Sequence, residues 1–345
     1  VSKAQPDRRD VVPPTLASFV VPPRFDDATF DSYQPDPGYP SQERARDRLS
    51  VAAHDFDNGD ARRGLLSRLR RGGAQPGWQA LYLDGRFGVG KTHLLAAASH
   101  AACVPKAYLS FADLTYAVGA LGMPQAVELL GQARLICLDE FELDDPGNTM
   151  LATSFVRAVL ERGARLIVTS NTLPGELGRG RFSADEFERE IGSLAAVFES
   201  IRIDGDDYRH RRFGNDDALP RIVPRDVLDD QAEPIRWLEL QRLMVTIPPI
   251  HFSDMIRDFD VLAIDGLAPI EDQDMALRFV HFIDKVYDRS IPLLVSSDCL
   301  PEDLFPPSYG YGGFERKFRR CQSRLHEMLA QPLDQPHGAE LAGEE

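Results

Sequence analysis

Residues 81–100 read LYLDGRFGVGKTHLLAAASH. An apolar run meets a glycine-rich turn, and a Lys-Thr pair then opens an alanine-rich segment. Gly85, Arg86, Phe87, Gly88, Val89, Gly90, Lys91 and Thr92 satisfy the phosphate-loop pattern G-x-x-x-x-G-K-S/T, with a strand expected before it and a helix after it. Glycines let the backbone fold around phosphates with its N–H groups turned inward, and the helix N-terminus adds a partial positive charge. Lys91 then reaches the β/γ oxygens of ATP, and Thr92 supplies a hydroxyl to Mg2+.

A phosphate loop needs a metal-ordering carboxylate on a neighbouring strand. LICLDEF at 135–141 offers Asp139 after four apolar residues, which puts it at a strand's C-terminal edge. Asp139 is expected to hold Mg2+ through water, and Glu140 to polarise the attacking water as general base. LIVTSN at 166–171 ends a third strand with Asn171, whose amide can orient that water and sense the γ-phosphate. The set implies ATP and Mg2+ as cofactors, Thr92 and Asp139 as the metal residues, and ATP hydrolysis as the reaction.

At 345 residues the chain leaves room for one large or two moderate domains. A hydrophobic content of 43% suits a globular core, while a net charge of −15 argues against a general nucleic-acid or anionic-membrane surface. Only five lysines stand among 39 basic residues, so a lysine inside the glycine loop is less easily accidental. Cys103, Cys137, Cys299 and Cys321 lie far apart without CxxC spacing, which speaks for reduced thiols rather than zinc or disulfides. No stretch approaches the roughly 18–20 apolar residues of a membrane span. VSKAQPDRRDVVPP at 1–14 lacks the apolar core of a signal peptide, so the expected compartment is the cytoplasm.

Residues 1–40 hold many of the prolines and read as an extended arm, followed by a helix from an N-cap at Ser41 through Ala52. Strands expected at Leu81–Leu83, Ala107–Phe111, Leu135–Leu138, Leu166–Thr169 and Ile201–Ile203 alternate with helices such as Thr149–Arg162. The fold class is therefore α/β, a phosphate-loop NTPase core over 41–214 with a parallel sheet flanked by helices. A proline-bearing linker is expected at 215–234, and an acidic disordered tail at 331–345. Between them, 235–330 reads as a second, smaller α/β segment lacking a phosphate loop, with strands at Val261–Asp265 and Pro292–Ser296 around a helix at Asp274–Arg289.

The two halves look alike. RLICLDEFELDD parallels VLAIDGLAPIEDQD, and LIVTSNTLPGEL parallels LLVSSDCLPEDL; Asp139 to Asn171 is 32 positions and Asp265 to Asp298 is 33. Duplication and the ordinary likeness of two β-α-β units both account for this. Gly266 stands where Glu140 stands, and Asp298 replaces Asn171, so no second hydrolytic site is expected.

Together, the phosphate loop, the Asp-Glu strand end and Asn171 resemble an AAA+ ATPase core. That resemblance implies a homo-oligomeric ring in which an arginine from one subunit completes its neighbour's site. Arg189 in FEREIGSL is the candidate, and Arg181 in GRGRF the alternative. The resemblance narrows through CLDEF, TSN followed by Leu-Pro, DGDDYRHR at 204–211, RFVHFIDKVYDRSIPLLVSSD and SRLHEM, which are similar to the ZapE family over roughly residues 25–330. The arginine segment that usually precedes DYR in that family reads differently here. Membership would imply a cytoplasmic ATPase recruited to the division site with the FtsZ ring as partner, and any membrane association peripheral, through partners. Mitochondrial relatives of that family are linked to turnover of membrane-complex subunits.

Two further features follow from the resemblance. ATFDSY at 28–33 corresponds to a linker that lines the adenine pocket, so Phe30 and Tyr33 either contact the base or pack in a small core of their own. Arg320 and Arg324, four apart on one helical face, are either a second phosphate sensor or solvated. The leading function is ATP-driven remodelling of a protein partner, with no stable nucleic-acid binding expected. The alternative is a nucleic-acid-linked AAA+ ATPase of the helicase-loader or initiator type, whose GVGKTHLL and ATFDSY segments are also similar; a scaffold that binds ATP but hardly turns it over is a third reading.

Overall fold

Apolar runs without alternation, such as ALYL at 80–83 and LICL at 135–138, settle in a sheet covered on both faces, because neither side can face water. The computed structural model describes residues 14–61, 79–86, 88–143, 146–174, 177, 188–205, 222–225, 228, 233–297, 299–310 and 314–330. The chain forms two compact units, one of residues 14–21 and 25–215, the other of 1–13, 22–24 and 216–345.

In the larger unit the elements run α1 (Pro40–Ala61), β1 (Ala80–Gly85), α2 (Lys91–Ala101), β2 (Lys106–Ser110), α3 (Phe111–Leu121), α4 (Met123–Leu130), β3 (Leu135–Asp139), α5 (Pro146–Glu161), β4 (Arg165–Ser170), α6 (Glu188–Ala195) and β5 (Glu199–Ile203). The five strands are parallel in the order β5-β1-β4-β3-β2, so β1 sits between β4 and β5 although they come much later in the chain. Register places Leu83 opposite Thr169 and Ser110 opposite Asp139. Leu81, Leu83, Leu135, Cys137 and Ile167 share one core cluster with α1 and α2. The strand period of two then turns Tyr82, Ile136 and Val168 to the opposite face, where Tyr82 meets Phe141 and Phe198 edge-on. A parallel α/β sheet flanked by helices is the architecture expected from the sequence.

Helix α1 differs from expectation at both ends. Pro40 is its first residue, where a missing N–H is no loss, and it continues to Ala61. Ser41 is thus inside the first turn rather than a cap, and its Oγ accepts from the Asp204 N–H at 2.9 Å. The stretch before it, from residue 14, carries two 3-10 turns, Leu16–Ser18 and Pro23–Phe25, and contributes Ala28 and Tyr33 to the core.

The smaller unit holds β6 (Ile235–Arg236), α7 (Trp237–Thr246), α8 (Phe252–Met255), β7 (Leu262–Leu267), α9 (Gln273–Asp288), β8 (Leu293–Ser297) and α10 (Glu315–Ala330). Its three strands are parallel in the order β6-β7-β8. Asp272 caps α9 by accepting from Met275 N–H at 2.8 Å. Ala276, Phe279, Val280, Ile283 and Val286 then recur at helical spacing on its buried face.

Arg320 and Arg324 on α10 are not solvated. Arg320 Nη2 lies 2.7 Å from the buried Asp284 carboxylate, and Arg324 Nη1 bonds its other oxygen. Burial works against the charged form of Asp284, but the two guanidinium groups, helped by His281, outweigh it and hold the carboxyl at about 2. Among the described residues no helix is long and apolar enough to cross a membrane. All four cysteines are free; Cys137 is buried, and burial pushes its thiol up to about 12.

Candidate active site

Strand β1 delivers the chain to Gly85 and α2 begins at Lys91, so the glycine loop is the strand-to-helix turn. Close approach explains two of its glycines. A Cβ on Gly85 would stand 2.4 Å from the Ile203 carbonyl oxygen on β5. Gly90 has φ 86°, and a Cβ there would stand 2.5 Å from the Tyr33 ring. Tyr33 in turn donates its hydroxyl to the Val89 carbonyl at 3.0 Å, and burial pushes that hydroxyl up to about 12. Phe30 is packed half-buried against the same cluster. Of the two readings of these aromatics, the structure favours a small core, one that supports the loop from outside. Phe87 lies outside the described residues.

The side chain of Lys91 turns back over this loop. Its Nζ donates to the Gly85 carbonyl at 2.8 Å, to the Arg86 carbonyl at 2.6 Å and to Asn171 Oδ1 at 2.9 Å. Lys91 is 8% exposed, so the ammonium is largely out of water and its contacts count for more than at a surface. Nearby on β1, Asp84 is buried, and burial raises its carboxyl above the ordinary value, while the Ser200 hydroxyl at 3.1 Å works the other way.

Asp139 is the hub of a hydrogen-bonded corner. Thr92 Oγ1 donates to its Oδ1 at 3.3 Å, and Tyr108 Oη to its Oδ2 at 3.3 Å. Thr169 Oγ1 on β4 also donates to Oδ1, and that hydroxyl accepts from the Glu140 N–H at 3.0 Å. Glu140 reaches this position with φ 54°, a left-handed backbone uncommon for any residue but glycine. The corner therefore fixes the direction in which the chain leaves β3.

Asn171 follows β4 at a bend. It meets Lys91 through Oδ1, while its Nδ2 donates to Glu142 Oε1 at 2.8 Å. The structure thus brings Lys91, Thr92, Asp139 and Asn171 together and sets Glu140 beside them. Arg189 is exposed on α6, and no described contact joins it to this cluster. Arg181, Asp298 and the DYR segment lie outside the described residues. Tyr108, Thr169, Glu142 and the supporting role of Tyr33 were not anticipated; each depends on which strands and segments become neighbours.

The donor set suits a magnesium nucleotide. Mg2+ takes hard oxygen ligands and is usually held by one or two carboxylates together with substrate phosphates. Thr92 and Asp139 supply a hydroxyl and a carboxylate side by side, next to a helix N-terminus and a lysine ammonium. Among the described residues, no group of three or more His, Cys, Asp and Glu forms a protein-only metal cage.

The family model of the AFG1-like ATPases matches residues 26–224 and 227–335. Cell division protein ZapE of Escherichia coli (strain K12) is 23% identical over 231 residues, which cover 57% of this chain and 60% of that protein. Lactation elevated protein 1 homolog B of Danio rerio is 24% identical over 221 residues, 51% of this chain and 42% of that protein. The chain spans 60% or less of the length of these curated relatives. Among solved structures, the crystal structure of the DnaC helicase loader aligns over 52% of this chain and 98% of that one, at 21% identity and a TM-score of 0.38, too distant to bear on function. The parallel sheet with its strand-to-helix glycine loop has the AAA+-like architecture of a phosphate-loop NTPase, and with the family model matching most of its length the chain belongs to the AFG1-like ATPase family.

Proposed function

We propose that this chain hydrolyses ATP with Mg2+ and uses the energy, as a homo-oligomeric ring, to remodel a protein partner, the FtsZ ring of a dividing cell. One observation carries the ATPase reading: Lys91, Asn171, Thr92 and Asp139 converge by hydrogen bonds at the C-terminal edge of one parallel sheet. The family's description as ATPases and the name of the Escherichia coli relative support hydrolysis and division as the setting.

In this reading the loop N–H groups of residues 85–92 cradle the phosphates, and Lys91 neutralises charge at the β/γ oxygens. Thr92 and Asp139 would hold Mg2+, and the ion would supply Lewis-acid stabilisation of negative charge on the phosphates. Glu140 takes the proton of the attacking water, and Asn171 orients that water. Arg189, or Arg181 in its place, acts on the neighbouring subunit. The protein works in the cytoplasm, recruited to the division site.

Steady-state ATPase activity with and without FtsZ polymers tests the proposal in two parts. Turnover that Glu140→Gln abolishes supports the enzyme reading, and equal ATP affinity in wild type and Lys91→Ala would sink it. Stimulation by FtsZ, or its capture by a Glu140→Gln chain, supports the partner; neither result would remove FtsZ and leave the ATPase. Mixing Arg189→Ala with Lys91→Ala chains should recover activity if Arg189 acts in trans, and no recovery in co-assembled chains moves the role to Arg181.

A further inference from the structure

We infer that Glu142 is a positioning residue for Asn171: it fixes the amide so that the carbonyl, not the NH2, faces Lys91 and the glycine loop. This rests on the ATPase reading above and adds a residue that no motif identifies. Glu142 is only 5% exposed and lies just past the strand end between the fully buried Phe141 and Leu143, an unusual setting for a carboxylate. Its neighbour Phe141 explains the placement. The Phe141 N–H donates to the Thr169 carbonyl at 2.7 Å, and its fully buried ring packs against Phe111 and Tyr82. With residue 141 pinned to β4 and buried, Glu142 comes within hydrogen-bond reach of the residue just after β4, Asn171.

The orientation follows from donor and acceptor chemistry. A carboxylate can only accept, and an ammonium can only donate. Asn171 lies between the two, with Nδ2 at 2.8 Å from Glu142 Oε1 and Oδ1 at 2.9 Å from Lys91 Nζ. Rotating the amide by half a turn would set Oδ1 against the carboxylate and NH2 against the ammonium, turning two favourable contacts into two repulsive ones. The chain Glu142–Asn171–Lys91 is thus a dipole lined up between opposite charges, and each contact strengthens the other. Asn171 presents an acceptor to the loop, the group that can accept a hydrogen bond from an attacking water and so aim its lone pair. Phosphate oxygens and Asn171 Oδ1 also compete for the same ammonium, so a firmly held amide does not favour ATP binding.

The test is a double-mutant cycle on the full chain, with kcat, affinity for a non-hydrolysable ATP analogue and Tm measured for each protein. Glu142→Gln keeps the size but can offer Asn171 either a donor or an acceptor. We expect kcat to fall about ten- to hundredfold, the scale of one charge-assisted hydrogen bond, with analogue affinity unchanged or tighter. In an Asn171→Ala background the same substitution should have no further effect, because nothing remains to orient. Glu142→Asp stays acceptor-only and should keep more of kcat than Glu142→Gln, which also decides the matter if Glu142→Gln fails to fold. Equal falls with and without Asn171, or a larger loss in Glu142→Asp than in Glu142→Gln, would overturn the inference. A wild-type chain that neither binds nor hydrolyses ATP would instead count against the ATPase reading.

Discussion

The same hydrogen-bonded corner occurs twice in this chain. In the larger unit, Thr169 donates to Asp139 and accepts from the Glu140 N–H at 3.0 Å. In the smaller, Ser296 donates to Asp265 at 2.8 Å and accepts from the Gly266 N–H at 2.9 Å. The residue after each Asp has a left-handed backbone, Glu140 at φ 54° and Gly266 at φ 74°. A 16-residue helix follows in both, α5 and α9, and each leaves through another left-handed residue, Gly163 or Ser290. One step past the corner, Ser170 Oγ accepts from Thr172 N–H and Ser297 Oγ from Cys299 N–H, both at 3.1 Å. What differs is the rest of the neighbourhood. Asp139 meets Thr92 and Tyr108, whereas Asp265 meets Arg225 at 3.3 Å. A strand-end aspartate in this corner is a scaffold feature; the proposed phosphate chemistry rests on Thr92 and Lys91, which open the helix beside Asp139.

The number of nucleotides bound per chain separates the two corners most strongly. Calorimetry with an ATP analogue should give one site per chain, and none in Lys91→Ala; two sites would mean that the Asp265 corner also binds. Next in size, Asp139→Asn should lower turnover at least ~10²-fold, since it weakens the only carboxylate proposed for the metal. Asp265→Asn should leave turnover unchanged and cost less than about 1 kcal/mol, because the Arg225 side chain it pairs with is 60% exposed. Equal loss of activity in the two variants would erase the distinction between the two corners.

Much of this is legible in the sequence alone. Lys91, Asp139 and Asn171 each end or follow an apolar strand, so local pattern alone locates them at one edge of a parallel sheet. The likeness of LICLDEF to VLAIDGL was legible for the same reason. Tyr108 and Thr169 were not, because their roles arise only when β2 and β4 flank β3, a pairing between segments some 30 residues apart in sequence. Glu142 was hidden as one acid among several in DEFELDD, and only the pinning of Phe141 separates it from the others. Arg320 and Arg324 show the opposite failure: helical spacing put them on one face, but nothing local revealed that Asp284 from α9 lies beneath that face.

Smaller effects are expected at the hydroxyl partners of the two aspartates. Thr169→Val removes the buried donor to Asp139 and leaves the half-buried Glu140 N–H with Asp139 Oδ1, at 3.1 Å, in place of the hydroxyl. It should cost about 2 kcal/mol of stability and roughly tenfold in kcat, by loosening both carboxylate-bearing residues. Ser296 is half-buried, so water can replace its hydroxyl, and Ser296→Ala should cost about 1 kcal/mol with kcat unmoved. Thermal denaturation and steady-state kinetics on the same samples check both numbers. A kcat that survives Thr169→Val would reduce the corner to a structural feature in both units.

The smallest expected effect concerns the left-handed residue itself. A non-glycine side chain in this backbone region costs about 1–2 kcal/mol, and Glu140 bears that cost where Gly266 does not. Glycine also loses more freedom on folding, which takes back part of the gain. Glu140→Gly should therefore raise stability by about 0.5–1 kcal/mol, a Tm increase of roughly 1–4 °C, while removing the proposed general base and ~10² or more in turnover. The reverse change is clean, because a Cβ on Gly266 meets nothing within 4 Å. Gly266→Ala should lower stability by about 1 kcal/mol through backbone conformation alone and leave ATP turnover as it was. Opposite shifts of stability and activity at Glu140, with stability alone moving at Gly266, are what a strained backbone retained for chemistry requires. A Glu140→Gly chain that melts lower than wild type would show that this carboxylate supports the fold, and the two corners would then differ in structure as well as in use.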